Sequence, residues 1–167
     1  FKAKSIFKNM YTSNVDGAQI AFAAIVPGNI VAINMKKHPT GFILQKESFL
    51  CAEPDIDIKV AFYKRISSTF FGGEDFILQN VQGSGTLFLE TNGDSIIKKL
   101  APDEVLKVDT GNIVGFETTV AYELEKVKVP QGEEFFVMKL IGPGKVIIQS
   151  QNFDDFAGRA LSLMPIK

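Results

Sequence analysis

Hydrophobic and polar residues alternate along several stretches of the chain, in the pattern of a half-buried β-strand. In the clearest stretch, residues 56–63, apolar side chains at the even positions alternate with Asp57, Lys59 and Tyr63. The same alternation occurs at two further places: Val120, Tyr122 and Leu124, and Leu87 and Leu89. The pattern predicts an all-β fold.

Turn-forming residues separate these stretches at a spacing typical of a β-sandwich or barrel. Asn92-Gly93 predicts a two-residue hairpin, and we expect Gly83-Ser84-Gly85 and Gly142-Pro143-Gly144 to be hairpin turns as well. The segment from Phe153 to Leu161 has a helical pattern, and Asn152 is in position to cap it. A short C-terminal helix therefore follows the strands.

The longest uncharged stretch, Gly17 to Met35, has 19 residues, which is close to the length of a membrane span. Its middle contains Pro27, Gly28 and Asn29, which favour a turn. We therefore expect two short buried strands that are joined at this turn.

Two blocks of the sequence recur later in the chain, which indicates repeated modules of one β-fold. Residues 73–89 match residues 132–148 at an offset of 59, and residues 42–60 match residues 106–124 at an offset of 64. A fainter match near the N-terminus suggests a partial copy, and because the chain begins with Phe1 rather than Met, we expect residues to precede it. The repeat predicts one structural unit with three modules: about 1–40 (partial), about 41–100 and about 101–167.

Composition and charge exclude several classes of protein. With 46% hydrophobic residues and 22% charged residues, the chain of 167 residues is not disordered. The 18 basic and 19 acidic residues give a net charge of −1, so electrostatics gives no reason to expect nucleic acid as a partner. One Cys and one His cannot form a three- or four-ligand metal site, or the histidine cluster of a metal-dependent cupin. We expect no metal, no cofactor and no disulfide within the chain.

The repeat places two pairs of acids at equivalent positions, Glu53 with Glu117 and Glu74 with Glu133. Paired carboxylates are able to serve as general acid and base. Because these acids recur beside Gly or Pro, we expect them instead to accept hydrogen bonds at turns and strand ends. No catalytic residue is therefore assigned.

We expect structural rather than catalytic roles for the single histidine and the single cysteine. His38 lies in a polar stretch ahead of a predicted strand, and we expect it to be solvated. Cys51 lies in an apolar strand, and we expect a small buried hydrophobe with an inert thiol.

Aromatic residues are the candidates for a contact surface. Phe70 and Phe71 precede two glycines in a predicted loop, where paired aromatic rings lower solubility unless they are covered. Packing of this loop onto the domain, a subunit contact and insertion into a membrane surface all remain open. Phe136 completes the set of candidate interface residues.

Five segments of the chain resemble the altered inheritance of mitochondria protein twenty-four family: Ala24–Ile30, Ser48–Pro54, Phe70–Phe76, Val108–Val114 and Leu140–Val146. The resemblance implies repeated short double-stranded β-helix modules, jelly-roll-like and similar to the tryptophan RNA-binding attenuator protein. It also implies a non-enzymatic protein whose modules tend to assemble, with no catalytic residues to assign.

These observations favour a non-catalytic, oligomeric β-scaffold for protein assembly or membrane-associated organisation. The expected partners are further copies of the chain, another protein or a membrane surface. The expected location is cytoplasmic, and association with a membrane stays open. One alternative is a small-molecule-binding protein or metal-free jelly-roll enzyme, in which Glu53 and Glu117 converge inside a barrel. Another is an RNA-binding ring, which fold analogy suggests and the near-neutral charge disfavours.

Overall fold

The computed structural model describes residues 9–65, 75–128 and 134–164. Within these ranges the chain forms twelve β-strands and one short α-helix, which confirms the all-β prediction. The strands are β1 (Gly28–Asn34), β2 (Phe42–Gln45), β3 (Phe49–Ala52), β4 (Ile56–Arg65), β5 (Asp75–Gly83), β6 (Thr86–Asn92), β7 (Ser95–Leu100), β8 (Val105–Asp109), β9 (Ile113–Glu117), β10 (Ala121–Lys128), β11 (Glu134–Ile141) and β12 (Gly144–Gln149). The helix is α1 (Phe153–Ser162).

The strands form three antiparallel sheets, none of which closes into a barrel. A central sheet has six strands in the order β4-β5-β2-β9-β12-β7. One outer sheet has the order β1-β6-β3, and the other has the order β10-β11-β8.

Two hydrophobic cores lie on opposite faces of the central sheet. The N-terminal core packs the β1-β6-β3 sheet on the central sheet through side chains such as Leu87 and Leu89, which are 0% exposed. The C-terminal core packs the β10-β11-β8 sheet on the other face through Met138 and Leu140, which are also 0% exposed. Strand β2 serves both cores, because alternate side chains of a strand point to opposite faces.

The neighbours of each strand follow one rule in both halves of the chain. Adding six to every label converts β1-β6-β3 into β7-β12-β9, and β4-β5-β2 into β10-β11-β8. Each of the strands β1 to β6 therefore has a counterpart, six strands later, in the same place within a three-stranded group.

The two halves meet where β2 pairs with β9 in the middle of the central sheet. The register places Phe42 opposite Glu117, Ile43 opposite Phe116, and Leu44 opposite Gly115. A Cβ atom at Gly115 would lie 2.8 Å from the backbone oxygen of Ile43 and 2.6 Å from Leu44 Cδ2. Only glycine therefore fits this close approach without a shift of the strands.

Three predicted hairpins are wrong. Asn92-Gly93 connects β6 to β7, Gly83-Ser84-Gly85 connects β5 to β6, and Gly142-Pro143-Gly144 lies between β11 and β12. In each case the two strands belong to different sheets, so the chain reverses between layers rather than within one sheet. Turn residues indicate where the chain bends, but they do not specify the partner of the next strand.

The prediction of two short buried strands between Gly17 and Met35 is correct only in that the second strand forms, and this strand is mostly exposed rather than buried. Residues 18–27 form no strand, whereas β1 follows from Gly28 and pairs with β6 along its whole length. The backbone of the first part finds no neighbouring strand in the described structure, and most of its side chains are exposed.

The predicted C-terminal helix is confirmed as α1. The side-chain oxygen of Asn152 accepts hydrogen bonds from the backbone N–H groups of Asp154 and Asp155. The apolar side chains of α1 stay largely outside the cores, and Phe156 is 55% exposed.

Candidate functional site

The two acids that the sequence pattern predicts to be equivalent, Glu53 and Glu117, both accept a backbone hydrogen bond at the start of a strand. Glu53 Oε2 accepts a hydrogen bond from the backbone N–H of Thr86 at 2.6 Å. Glu117 Oε2 accepts one from the backbone N–H of Lys145 at 2.7 Å. Each carboxylate therefore binds the first residues of a strand, β6 or β12, and holds them to the preceding part of its own half.

Glu117 makes a second contact, which involves the only histidine of the chain. His38 Nδ1 lies 2.6 Å from Glu117 Oε1, and the two side chains are only 10% and 18% exposed. The ring of His38 also packs edge-on against Phe42, with 4.9 Å between the ring centroids. The expectation of a solvated histidine is wrong, because the fold brings a carboxylate to it from 79 residues away and the ring of nearby Phe42 packs against it as well.

The His38–Glu117 pair spans the β2–β9 junction. His38 lies just before β2, whereas Glu117 ends β9. Thr118 adds a second polar contact at this junction, since its Oγ1 donates a hydrogen bond to the backbone oxygen of Thr40 at 2.8 Å. These polar contacts fasten one half of the chain to the other.

Four predicted site residues lie outside the described residues: Glu74, Glu133, Phe70 and Phe71. Their assignments stay predictions. Phe136 is described, and its ring is 9% exposed within the C-terminal core. The structure therefore uses this ring for packing within the chain, because a buried ring is not presented at the surface.

The single cysteine lies on strand β3, which is an outer strand of its sheet. Its side chain is half-buried rather than fully buried. Burial raises the pKa of the Cys51 thiol above its ordinary value. The thiol is therefore less nucleophilic than an exposed one, since the thiolate is the reactive form.

A cleft of about 210 Å³ lies beside the start of α1. Gln149 joins its walls, because the side-chain amide accepts from the backbone N–H of Asn92 and donates to the backbone oxygen of Gly111, both at 2.9 Å. Three acids, Glu47, Glu90 and Asp154, are among its lining residues. Glu53 and Glu117 do not line this cleft, so the pair that a barrel enzyme would need does not converge there.

Asp109 lies next to this cleft and begins the turn that contributes Thr110 and Gly111 to its wall. Burial raises the pKa of the Asp109 carboxyl, and the nearby carboxylate of Asp155 raises it further. The backbone N–H of Gly111 opposes these effects, because it donates a hydrogen bond to Asp109 Oδ1 at 2.9 Å. Asp109 therefore holds the turn at an electrostatic cost.

The outer face of the β10-β11-β8 sheet bears a network of charged side chains. Lys107 Nζ lies 2.5 Å from Glu125 Oε2, and Lys139 Nζ lies 3.7 Å from Glu125 Oε1 and 3.6 Å from Glu123 Oε2. The hydrogen bond from Lys107 lowers the pKa of Glu125. These contacts join neighbouring strands across the sheet surface.

The described residues contain no group of three or more His, Cys, Asp and Glu side chains arranged to hold a metal ion. In the same part of the chain, no helix has the length and apolar character needed to cross a membrane.

Sequence reasoning missed the β2–β9 junction, although it identified the residues on both sides of it. The signal was present in the strand β2 segment, where Phe42, Ile43 and Leu44 form a continuous apolar run. Such a run is typical of a strand that is covered on both faces.

Comparison with known proteins identifies relatives of uncharacterised function. The family model described as Mitochondrial biogenesis AIM24 matches residues 1–151. An uncharacterized protein from Streptococcus pyogenes serotype M6 is 26% identical over 169 aligned positions, which cover 97% of this chain and 65% of that protein. A crystal structure of a Streptococcus pyogenes protein matches with a TM-score of 0.68 and 22% identity, over 85% of this chain and 63% of the other. The chain thus spans slightly less than two thirds of both proteins, and the structural match establishes the fold.

Proposed function

The chain belongs to the AIM24 family of mitochondrial biogenesis proteins, and we propose that it is a non-catalytic scaffold, built from copies of one β-module, that assembles with further copies of itself. The observation that carries the proposal is the β2–β9 junction, where two similar halves are joined strand to strand. A module that joins another in this way within one chain is able to join another chain by the same backbone contacts.

The modular organisation is supported by the agreement between two independent patterns. The recurring sequence blocks lie on β2 to β6 and on β8 to β12, and these strands are counterparts in the sheet order. On this basis we propose two complete modules, one from β1 to β6 and one from β7 to β12. The bounds at residues 40 and 100 and the partial first module stay predictions.

A structural use of the conspicuous acids supports the non-catalytic part of the proposal. Glu53 and Glu117 each accept a backbone hydrogen bond, and Glu117 is also occupied by His38. A general acid or base needs a free position toward a substrate in a pocket. These two carboxylates instead hold strand ends at counterpart positions.

Exposed apolar side chains support assembly. Ile96 and Ile97 on edge strand β7 are 54% and 57% exposed, and Leu161 on α1 is 66% exposed. Surfaces of this kind are frequent at protein–protein contacts. A surface for membrane-associated organisation has the same chemistry and is distinguished by experiment.

The solution mass tests the proposal. Light scattering over a range of protein concentrations should give masses above the 18.4 kDa of one chain. A constant mass of one chain at all concentrations would contradict self-assembly.

The double variant Phe70→Ser, Phe71→Ser tests the predicted contact loop, and a folded variant with an unchanged mass would remove these rings from the interface. Binding of the monomer to anionic lipid vesicles would favour the membrane surface instead.

A further inference from the structure

Strands β3 and β8 are outer strands of their sheets in the part of the chain that the structure describes. Strand β3 ends the order β1-β6-β3, and β8 ends the order β10-β11-β8. Their counterparts, β9 and β2, are paired with each other in the central sheet. The contact that joins the two halves therefore leaves one counterpart edge unpaired at each end of the described structure.

The counterpart relation also fixes a register for these two edges. In the internal junction Leu44 lies opposite Gly115, and Ile43 lies opposite Phe116. The repeat offset of 64 residues converts the first pair into Val108 and Cys51. It converts the second pair into Lys107 and Ala52.

Side chains beside β3 have the exposure expected of an unfilled contact. On the central sheet, Val114 and Ile147 are 0% and 2% exposed, because they face the N-terminal core. The offset of 64 residues relates Val114 to Leu50, and the offset of 59 relates Ile147 to Phe88. These two counterpart residues are only half-buried, on the outer face of the β1-β6-β3 sheet. Apolar residues therefore occupy the same places at this end without the same cover.

The other end of the described structure shows the same difference. Phe76 and Leu78 on the central sheet are 5% and 0% exposed, because they face the C-terminal core. Their counterparts on β11, Phe135 and Val137, are half-buried. Both ends thus present an unpaired strand edge together with incompletely covered apolar side chains.

We propose that β8 of one copy pairs antiparallel with β3 of a second copy, which repeats the β2–β9 junction between chains. This inference rests on the proposed self-assembly and identifies its interface. Because one end of a copy meets the opposite end of the next, the contact is head-to-tail and gives either a closed ring or an open chain of copies.

The fit at Cys51 differs slightly from the internal junction. The nearest atom to a Cβ at Gly115 is Leu44 Cδ2, at 2.6 Å, and the counterpart residue, Val108, has no Cδ atom. The backbone oxygen of Ile43 would lie 2.8 Å from the same Cβ. The strands between chains must therefore lie a few tenths of an ångström further apart than β2 and β9.

Lys107 weakens this interface in a way that is testable. It replaces the apolar Ile43 of the internal junction and is bound to Glu125 on its own sheet. A lysine on an edge strand opposes pairing with another strand, because its charge must be kept in water. Association should therefore be weaker than the internal junction, and Lys107→Ile should strengthen it.

Disulfide cross-linking tests the register, since Cys51 is the only cysteine of the chain. In the Val108→Cys variant the new thiol faces Cys51 of the neighbouring copy across two paired strands. The matched control is Val105→Cys, on the same strand and 51% exposed, but about 10 Å further along it. Under mild oxidation we expect Val108→Cys to form covalent dimers and higher species about tenfold faster than Val105→Cys, because pairing raises the effective thiol concentration. The double variant Val108→Cys, Cys51→Ser should form covalent dimers at most, since each copy has one thiol.

The outcomes separate this inference from the proposed function. If light scattering shows assembly but Val108→Cys and Val105→Cys cross-link equally, the edges are wrong and the scaffold proposal stands. If the wild-type protein stays a monomer at every concentration, both are wrong.

A second pair of variants tests the interface without a disulfide. Leu50→Asp places a charge on β3 and should reduce the assembled fraction at least about tenfold. Ile30→Asp places the same charge on β1, the opposite edge strand of the same sheet, where Ile30 is 51% exposed, and should leave assembly unchanged. Equal loss in both variants would overturn the assignment of the interface to β3.

Hydrogen exchange of the wild-type protein gives an independent result, because the amides of β3 and β8 should become protected as the protein concentration rises.

Discussion

Glu53 and Glu117 are single residues that hold corresponding turns, but the surroundings of the two carboxylates differ. Glu53 is exposed and accepts one hydrogen bond from Thr86, whereas Glu117 is 18% exposed and also contacts His38. We expect Glu53→Ala to lower the free energy of unfolding by about 1 kcal/mol and Glu117→Ala by about 3 kcal/mol, since hydrogen bonds to charged groups in buried places contribute more.

Urea denaturation of the two variants measures this difference. Glu53→Gln and Glu117→Gln are matched controls, because an amide keeps one oxygen acceptor and nearly the same shape. Equal losses for the two alanine variants would show that the contact with His38 contributes nothing to stability.

Asp109 is a residue whose ionisation opposes folding. Because burial raises the pKa of its carboxyl, the folded chain binds this proton more tightly than the unfolded chain does. The protonated carboxyl contributes stability to the folded chain below the ordinary pKa of an aspartate. This contribution is lost as the pH rises from there through the raised pKa. Asp109→Asn cannot ionise and keeps an oxygen to accept from Gly111, so this variant should gain stability relative to wild type over that window.

Urea denaturation at about pH 4 and at about pH 7 tests the sign of this linkage. The difference between Asp109→Asn and the wild-type protein should be larger at the higher pH, in favour of the variant. A variant that is less stable at about pH 7 would show that the carboxylate charge helps to hold the turn.

The sequence predicted the single-residue roles where the partners are set by a local or repeated pattern. The hydrogen bonds of Glu53 and Glu117 fit the expectation for acids beside strand ends. The environment of His38 was not predictable, because its partner lies 79 residues away and is brought to it by the pairing of β2 with β9. A long-range contact of this kind leaves no trace in the spacing of one sequence.

Strand β9 depends on the absence of a side chain at Gly115. A methyl group there would meet the backbone oxygen of Ile43, which cannot rotate away. Gly115→Ala should therefore lower the free energy of unfolding by about 2 kcal/mol, which is typical of overpacking. Gly158→Ala on α1 is the matched control, because nothing lies within 4 Å of the added atom, and it should be neutral or slightly stabilising.

Urea denaturation of both glycine variants provides the measurement. An equal effect of Gly115→Ala and Gly158→Ala would mean that the junction adjusts to the methyl group without cost. The β2–β9 contact would then be looser than its register indicates.

Helix α1 should respond to its cap without affecting the rest of the fold. Asn152→Ala removes the acceptor for two backbone N–H groups and should destabilise the helix by about 1 kcal/mol. Because no side chain of α1 is buried, the loss should stay local and the midpoint of global unfolding should hardly move. Faster amide exchange at residues 156–160 would report the change, and Asn152→Asp should restore the wild-type rate. A matching shift of the global midpoint would show that α1 is packed more firmly than its exposure indicates.

At the level of elements, the sequence predicted strands and the helix better than it predicted their connections. Alternation identified β4, β6 and β10, and the cap at Asn152 identified α1, since both signals are local. The segments around Gly83, Asn92 and Gly142 were expected to form hairpins, yet they connect strands of different sheets. Which layer a strand joins depends on the tertiary packing of apolar faces, and a turn motif does not encode it.

The molecule as a whole should unfold as one unit, because the central sheet belongs to both cores. Ile43 on β2 packs in the C-terminal core, and its neighbour Leu44 packs in the N-terminal core. Removing one core would therefore expose one face of the sheet that supports the other core. This coupling predicts a single transition for the two halves.

Two matched core variants test this coupling. Leu87→Ala lies in the N-terminal core and Leu140→Ala in the C-terminal core, and both side chains are 0% exposed. Each substitution should lower the free energy of unfolding by about 3–5 kcal/mol. Amide exchange followed on β6 and on β12 should show the same loss in both halves for either variant. If Leu87→Ala accelerated exchange on β6 alone, the two halves would be independent modules, and the β2–β9 junction would join them without transmitting stability.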